Sequence, residues 1–251
     1  MKYPSISCLC PTFNRAPTYL HLLEEAVEAW RRCAMLYPGE SELVILNDCP
    51  QQVLACQLPG VRIYNTQQRY PTLGQKRNAL CELARYEVLA PWDDDDISLP
   101  YRLNDSNRAL QDALGVGRGY VKPGGYWYLN GDSLHHDHGI GVGHNCSLFT
   151  FEAWEDVGGY PSVSGNEDLQ IDQNFSIADH THIVRQEPAT WWYVYCWGRC
   201  HRHLSGRRDL QQHYDDIGDH TIIEGEFEIV PGWKRDYEGM VRTRLQELSP
   251  A

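Results

Sequence analysis

Four strand-like runs interleaved with two amphipathic helical patterns fill the first hundred residues, and this alternation constrains the fold more than any other feature. Ser5–Cys10 (SISCLC) is a short apolar run that Pro11 is expected to end. From Thr18 the period changes, with Leu20, Leu23, Val27, Trp30 and Ala34 at three- and four-residue steps. That spacing predicts a helix that stops before Pro38–Gly39. Glu42–Asn47 (ELVILN) and Val61–Asn65 (VRIYN) read as further strands, Leu73–Arg85 as a second helix, and Glu87–Trp92 (EVLAPW) as a fourth strand. Such alternation predicts a parallel sheet with helices on both faces. Ligands of these sheets bind beyond the carboxyl ends of the strands. Pro11–Arg15, Asp48 and Asp93–Asp96 all fall at such ends, so they are expected to converge.

The second half is less regular. Leu99–Leu114 is expected to be helical. Gly115–Cys146 is rich in Gly, His and Tyr, and is too long for an ordinary connection, which marks it as functional or partly mobile. Cys146–Phe151 and the aromatic Thr190–Trp197 read as strands, Glu167–Ser176 as the start of a helix, and Tyr237–Leu248 as a C-terminal helix. There are no internal repeats and no linker that would divide the 251 residues. With Lys plus Arg at 22 and Asp plus Glu at 34, the formal charge is −12, which argues against a general nucleic-acid or anionic-membrane binder. No run approaches the length of a transmembrane helix, and MKYPSISCLCPTFNR reads as the start of a fold rather than a signal peptide. Nine widely spaced cysteines with no CxxC fit reduced thiols in a cytosolic protein better than a disulfide framework or zinc ribbon.

Several clusters carry chemical potential. Four consecutive carboxylates, Asp93 to Asp96, repel one another unless a hard divalent cation relieves them, although a solvated acidic turn is the alternative. Asp48 is suited to accept hydrogen bonds from a base or ribose, or simply to start a turn. Lys76 and Arg77 sit in a helical first turn, where the helix dipole disfavours cations unless an anion is present; a solvated basic turn is the other reading. Glu167 and Asp168 open a helix, as acids commonly do, and a carboxylate there can also serve as a general base. Residues 199–208 (RCHRHLSGRR) form the densest basic segment. With His201 and His203 it could hold a diphosphate and contribute a metal ligand. The cluster of His135, His136 and His138 offers three imidazoles that could bind a metal, with plain loop the favoured expectation. Tyr126, Trp127 and Tyr128 look exposed, free to stack on a sugar ring or to pack.

In order along the chain, CPTFNR, LND, GQKRNA, WDDDDISLPYRL and GGYP…NED resemble the motifs of family 2 of the inverting glycosyltransferases with the GT-A fold, over roughly residues 4 to 205. The resemblance implies an α/β fold with a mostly parallel central sheet, helices on both faces and a smaller antiparallel acceptor-side part. It implies one domain over 1–251, divided into a nucleotide-sugar half (1–114), an acceptor and catalytic half (115–215) and a C-terminal tail and helix (216–251). Pro11, Thr12, Asn14 and Arg15 resemble the loop against the nucleotide, Asp48 the acid that reads the base, and Lys76 and Arg77 the nucleotide-side cations. Asp93, Asp94 and Asp95 resemble the DxD motif, with Asp95, Asp93 and His203 as metal ligands for Mn²⁺ or Mg²⁺. Asp168 matches the second acid of the ED motif, the general base, with Glu167 beside it. The QxxRW motif and membrane helices of processive relatives are missing, which implies a soluble, cytoplasmic enzyme adding one sugar. Its donor would be a UDP- or GDP-sugar, and its acceptor a hydroxyl of a glycan, a lipid-linked sugar or a small molecule. Two other classes share these residues: an inactive sugar- or nucleotide-binding module, and a metal-dependent nucleotidyl or phosphoryl transferase.

Overall fold

A computed structural model of the protein describes residues 3–137, 143–185, 187–199, 214 and 221–248. Its first half runs β1 (Ile6–Thr12), α1 (Leu20–Leu36), β2 (Ser41–Asn47), β3 (Gln52–Ala55), β4 (Val61–Asn65), α2 (Leu73–Leu83), β5 (Val88–Pro91), β6 (Ile97–Ser98) and α3 (Arg102–Leu114). The second half adds β7 (Tyr120–Pro123), β8 (Tyr126–Asn130), β9 (Ser133–Asp137), a 3-10 turn (His144–Cys146), β10 (Leu148–Thr150), α4 (Phe151–Asp156) and α5 (Glu167–Ile177). It closes with β11 (Thr181–Val184), β12 (Tyr193–Trp197), β13 (Gly225–Glu228) and the C-terminal helix α6 (Tyr237–Leu248).

The central sheet has seven strands in the order β11-β7-β10-β5-β1-β2-β4. β5, β1, β2 and β4 are mutually parallel, and β10 runs antiparallel between β5 and β7. β1 lies in the middle and is buried along its whole length, as a parallel strand covered on both faces must be. Its alternate side chains serve two cores. Ile6, Cys8 and Cys10 pack with Leu23, Val27 and Trp30 of α1 and with Leu103 and Leu110 of α3. Leu9 packs on the opposite face with Leu80 of α2, Ala153 of α4, and Ile171 and Phe175 of α5. The 3.6-residue period of α1 thus points its stripe at the sheet, and Thr72 caps α2 by accepting from the Gln75 amide.

A smaller sheet has the order β6-β12-β8-β9, with antiparallel pairs at its edges and β12 parallel to β8 in its middle. A two-stranded parallel pair joins β13 to β3. No helix among the described residues is long and apolar enough to cross a membrane.

Four expectations need correction. β1 continues through Pro11 to Thr12, because pairing with β5 ends at Leu9↔Pro91, so the missing amide of Pro11 costs no ladder bond on that side. Residues 115–146 are largely structured: they contain β7, β8 and β9, and only 138–142 within them lie outside the described residues. Their glycines mark tight turns and close approaches; a Cβ on Gly125 would lie 2.2 Å from the Trp191 ring. Tyr126 and Trp127 are buried and Tyr128 half-buried, so this trio packs rather than offering an open platform. Finally β3, β11 and β13 are only four residues each, too short to show a period of their own.

Arg102 joins the two sheets. It is 1 % exposed, stacks over Trp92 at 4.6 Å, and donates to Ser98 Oγ at 2.7 Å and to the carbonyls of Pro91 at 2.7 Å and Asn145 at 3.0 Å. Arg102→Ala should lower stability by about 3 kcal/mol, since several hydrogen bonds from a charged donor are lost together and the carbonyls are left buried. Urea unfolding monitored by tryptophan fluorescence measures this.

Candidate active site

The carboxyl ends of β1, β2 and β5 meet, as the alternation requires. Beyond β5 the four aspartates turn, and each carboxylate finds different partners. Asp94 accepts from Thr12 Oγ1 at 2.6 Å and from the Arg15 guanidinium at 2.7 and 2.5 Å. Burial works to raise this carboxyl, but the Arg15 fork and the Thr12 hydroxyl hold it below the ordinary range. The same guanidinium reaches Asp95 Oδ2 at 2.9 Å. Asp93 Oδ1 accepts from Arg77 at 3.1 Å; burial outweighs that cation and, with Asp95 and Asp94 nearby, raises its pKa. Asp96 turns away to β12, where Oδ1 accepts from the Cys196 amide at 2.6 Å and Oδ2 from the Tyr193 hydroxyl. Burial, then Asp95 and Asp93, push it well above the carboxylate range.

The start of α2 supplies the opposing charge. Lys76 and Arg77 are buried, which excludes a solvated basic turn. Lys76 Nζ donates to Asp48 Oδ1 at 2.5 Å and to the Thr12 carbonyl at 2.7 Å. The other Asp48 oxygen accepts from the Tyr70 amide at 3.0 Å. Arg77 Nε donates to Glu167 Oε1 at 3.2 Å. The anion expected at this helix start is thus built into the chain as Asp48, Asp93 and Glu167. Glu167 begins α5 and is buried, which raises its pKa against the pull of Arg77, with Asp168 adding to the rise. Asp168 is half-buried, and its Oδ1 accepts from the Leu169 amide at 2.8 Å.

The family model described as glycosyl transferase family 2 matches residues 7–136. The chain belongs to glycosyl transferase family 2. Solved structures of similar fold include TarS 1-349 from S. aureus, at 13% identity and a TM-score of 0.58, with 76% of this chain and 60% of that one covered. TarS 1-349 has also been solved in complex with UDP-GlcNAc, matching at 12% identity, 78% and 59% coverage, and a TM-score of 0.56. The mannosyltransferase PcManGT from Pyrobaculum calidifontis, in complex with GDP-Man and Mn²⁺, matches over 97% of this chain and 69% of that one, at 14% identity and a TM-score of 0.56. Identities this low establish the shared fold, the GT-A glycosyltransferase fold, and the chain spans about 60% of the TarS fragment. No curated protein matches the chain.

The four aspartates differ in how many of their oxygens are already taken. Asp94 and Asp96 spend both oxygens on hydrogen bonds, whereas Asp93 and Asp95 each spend one, on Arg77 and Arg15. Among the described residues no group of three or more His, Cys, Asp or Glu side chains is arranged to hold a metal ion. Two half-free hard carboxylates do fit an ion whose remaining ligands are phosphate oxygens and water, the usual habit of Mg²⁺. His203 and most of the basic segment lie outside the described residues, as does His138; His135 and His136 are exposed on β9.

Sequence reasoning missed two participants, Glu25 and Gln52. Glu25 is fully buried in α1, pairs with Arg199, and accepts from the Tyr237 hydroxyl at 3.0 Å and the Lys234 amide at 2.8 Å. Arg199 in turn donates to the Asp95 carbonyl at 3.3 Å, which ties the C-terminal segment to the acidic run. Gln52, buried in β3, donates to Asn14 Oδ1 at 3.1 Å and to the carbonyls of Ala16 and Ile223. The one usable signal was Glu25, an acid amid the apolar positions 22, 23 and 26 of the inward stripe of α1.

The approach of α2 to the loop before α5 has no slack. A Cβ on Gly74 would sit 1.8 Å from the Pro161 carbonyl oxygen, and the Gly74 amide donates to the Val163 carbonyl at 3.0 Å. Gly74→Ala should therefore push residues 160–165 away and destabilise the fold by about 2 kcal/mol. Thermal and urea unfolding test it, and an unchanged midpoint would show that the loop yields freely.

Proposed function

We propose that the protein transfers a single sugar from a nucleoside diphosphate sugar to a hydroxyl acceptor, with inversion at the anomeric carbon. The observation that carries this reading is the convergence of Asp48–Lys76, Asp93 with Asp95, and Arg77–Glu167–Asp168 at one end of the sheet of a family 2 glycosyltransferase. The nucleotide-sugar complexes of TarS and PcManGT support the donor class, and the Mn²⁺ of PcManGT supports a divalent ion.

In this reading Pro11, Thr12, Asn14 and Arg15 form the floor under the nucleotide, and Asp48 accepts from its base, held ready by Lys76 and the Tyr70 amide. Asp93 and Asp95 hold Mn²⁺ or Mg²⁺ with the diphosphate, with His203 as a further ligand. Bound there, the ion neutralises charge on the departing diphosphate. Asp94 keeps Arg15 aimed at the acidic turn. Arg77 and Arg199 add fixed positive charge beside it. Asp168 removes the proton of the acceptor hydroxyl as the new glycosidic bond forms, and Glu167 pins the helix that carries it. The first 114 residues then serve the donor and residues 115–215 the acceptor, while the tail and helix of 216–251 contribute Lys234 and Tyr237 to Glu25. Cytoplasmic action is part of the proposal, supported by the eight described cysteines, all free thiols.

Asp168→Asn should lower turnover by 100-fold or more, about the least that loss of a general base costs, with nucleotide binding intact. A folded variant with unchanged release of nucleoside diphosphate would sink the assignment. The same product assay separates glycosyl transfer from nucleotidyl transfer, which releases pyrophosphate, and from an inert binding module, which releases nothing. In thermal-shift titrations with UDP or GDP, Mn²⁺ should add stabilisation to the wild type, about 2.7 kcal/mol at a hundredfold excess of ligand over its dissociation constant. Asp95→Asn should abolish the Mn²⁺-dependent part, and retention of that part would remove Asp95 from the metal.

A further inference from the structure

Behind the site lies a line of buried polar groups that the proposed reaction does not use. Lys122 of β7 donates to Asp172 Oδ2 at 2.6 Å. Tyr120, also of β7, donates to Asp172 Oδ1 at 2.7 Å. His144 stacks on the Tyr120 ring with centroids 5.9 Å apart and an interplanar angle of 13°, and its Nδ1 is 3.4 Å from the Tyr120 hydroxyl. His144 Nε2 is 2.6 Å from the Tyr160 hydroxyl. The Tyr160 backbone is clamped by Asn78, whose side chain accepts from the Tyr160 amide at 2.7 Å and donates to its carbonyl at 2.8 Å. The Tyr160 ring faces the Arg77 guanidinium at 5.9 Å, and Arg77 pairs with Glu167.

These contacts close on themselves. Glu167 and Asp172 both belong to α5, so the line leaves the helix at its first residue and returns to it five residues later. One arrangement of protons satisfies every member. The Tyr120 proton is committed to Asp172, so the Tyr120 oxygen accepts from His144 Nδ1. That leaves Nε2 as the acceptor for the Tyr160 hydroxyl. Burial, helped by the nearby Arg77 and Lys122, keeps His144 well below its ordinary range and hence neutral, while burial pushes both tyrosines up and keeps them protonated.

We propose that Tyr160, His144, Tyr120 and Asp172 are positioning residues for α5, forming a closed ring that fixes the direction in which its first turn presents Asp168. This rests on the glycosyl-transfer reading, in which Asp168 is the base. None of the four is placed against substrate. Each acts through α5, and a misplacement of the base by a fraction of an ångström is enough to slow the chemical step.

The test uses the full chain with Tyr160→Phe, His144→Phe and His144→Gln, the last retaining a hydrogen-bonding group near Nε2. Hydrogen exchange is followed at the amides of residues 168–172, with α1 as internal reference, together with kcat and the donor KM. Tyr160→Phe and His144→Phe should speed exchange in the first turn of α5 alone and lower kcat by about 30-fold with little change in donor KM, as expected when a reacting group is misplaced rather than lost. His144→Gln should recover most of both. Unchanged exchange, an unchanged kcat, or a loss of kcat that the glutamine does not relieve would each overturn the ring. Should the wild type release no nucleoside diphosphate from any donor, the transfer reading fails, and the exchange data alone decide whether the ring orders α5.

Discussion

Four adjacent carboxylates at the end of a buried strand cannot be left to repel one another, and the architecture around them is the answer to that constraint. They are drawn to three different parts of the fold. Asp93 goes to Arg77 of α2, Asp94 to Thr12 and Arg15 after β1, Asp95 to Arg15, and Asp96 to the Tyr193 hydroxyl and Cys196 amide of β12. Because β12 belongs to the smaller sheet, the acidic turn is also where the two sheets are joined, continued by β6 pairing with β12. Asp94 and Asp96 therefore differ in kind. Asp94 is held ionised by an arginine, whereas Asp96, with neutral partners only, is driven toward its protonated form by burial and its neighbours.

Buried ion pairs are weak instruments of stability, since desolvation offsets most of their attraction. Their concentration here argues for function. Glu25, Asp48, Asp93, Asp94, Asp95, Glu167 and Asp168 oppose Arg15, Lys76, Arg77 and Arg199, seven acids against four bases, with Asp96 set apart on neutral partners. The excess suits a divalent ion, and the fixed bases suit the phosphates that would arrive with it. The formal charge of −12 thus conceals a compact region of mixed sign.

The parts legible in the sequence are those set by local pattern. Strand and helix periods between residues 5 and 96 located β1, α1, β2, β4, α2 and β5, and the rule that ligands gather at carboxyl ends brought Thr12, Arg15, Asp48 and the aspartates together before any coordinates. The helix at Tyr237–Leu248 was equally plain. What stayed hidden depends on partners distant in sequence. Strand β7 lies among glycines and is a strand because β10 and β11 flank it. Glu25 looks like one polar residue of an amphipathic helix until Arg199 and Tyr237 arrive from residues more than 170 positions away. The Tyr120–His144–Tyr160 line joins three segments whose spacing follows no motif.

Helix α2 explains how these pieces stay in register. Successive residues on a helix diverge by about 100°, while positions four apart share a face. Gly74 and Asn78 are such a pair, and both grip the loop before α5, at Pro161 and Val163 and at Tyr160. Arg77 lies beside that face and reaches Glu167 and Asp93. Lys76, one residue earlier, points the other way to Asp48 and Thr12. A single helical turn therefore spans the proposed donor side and the proposed base. The order Gly-Gln-Lys-Arg-Asn sets the distance between them, because none of its contacts can shift without rotating the rest.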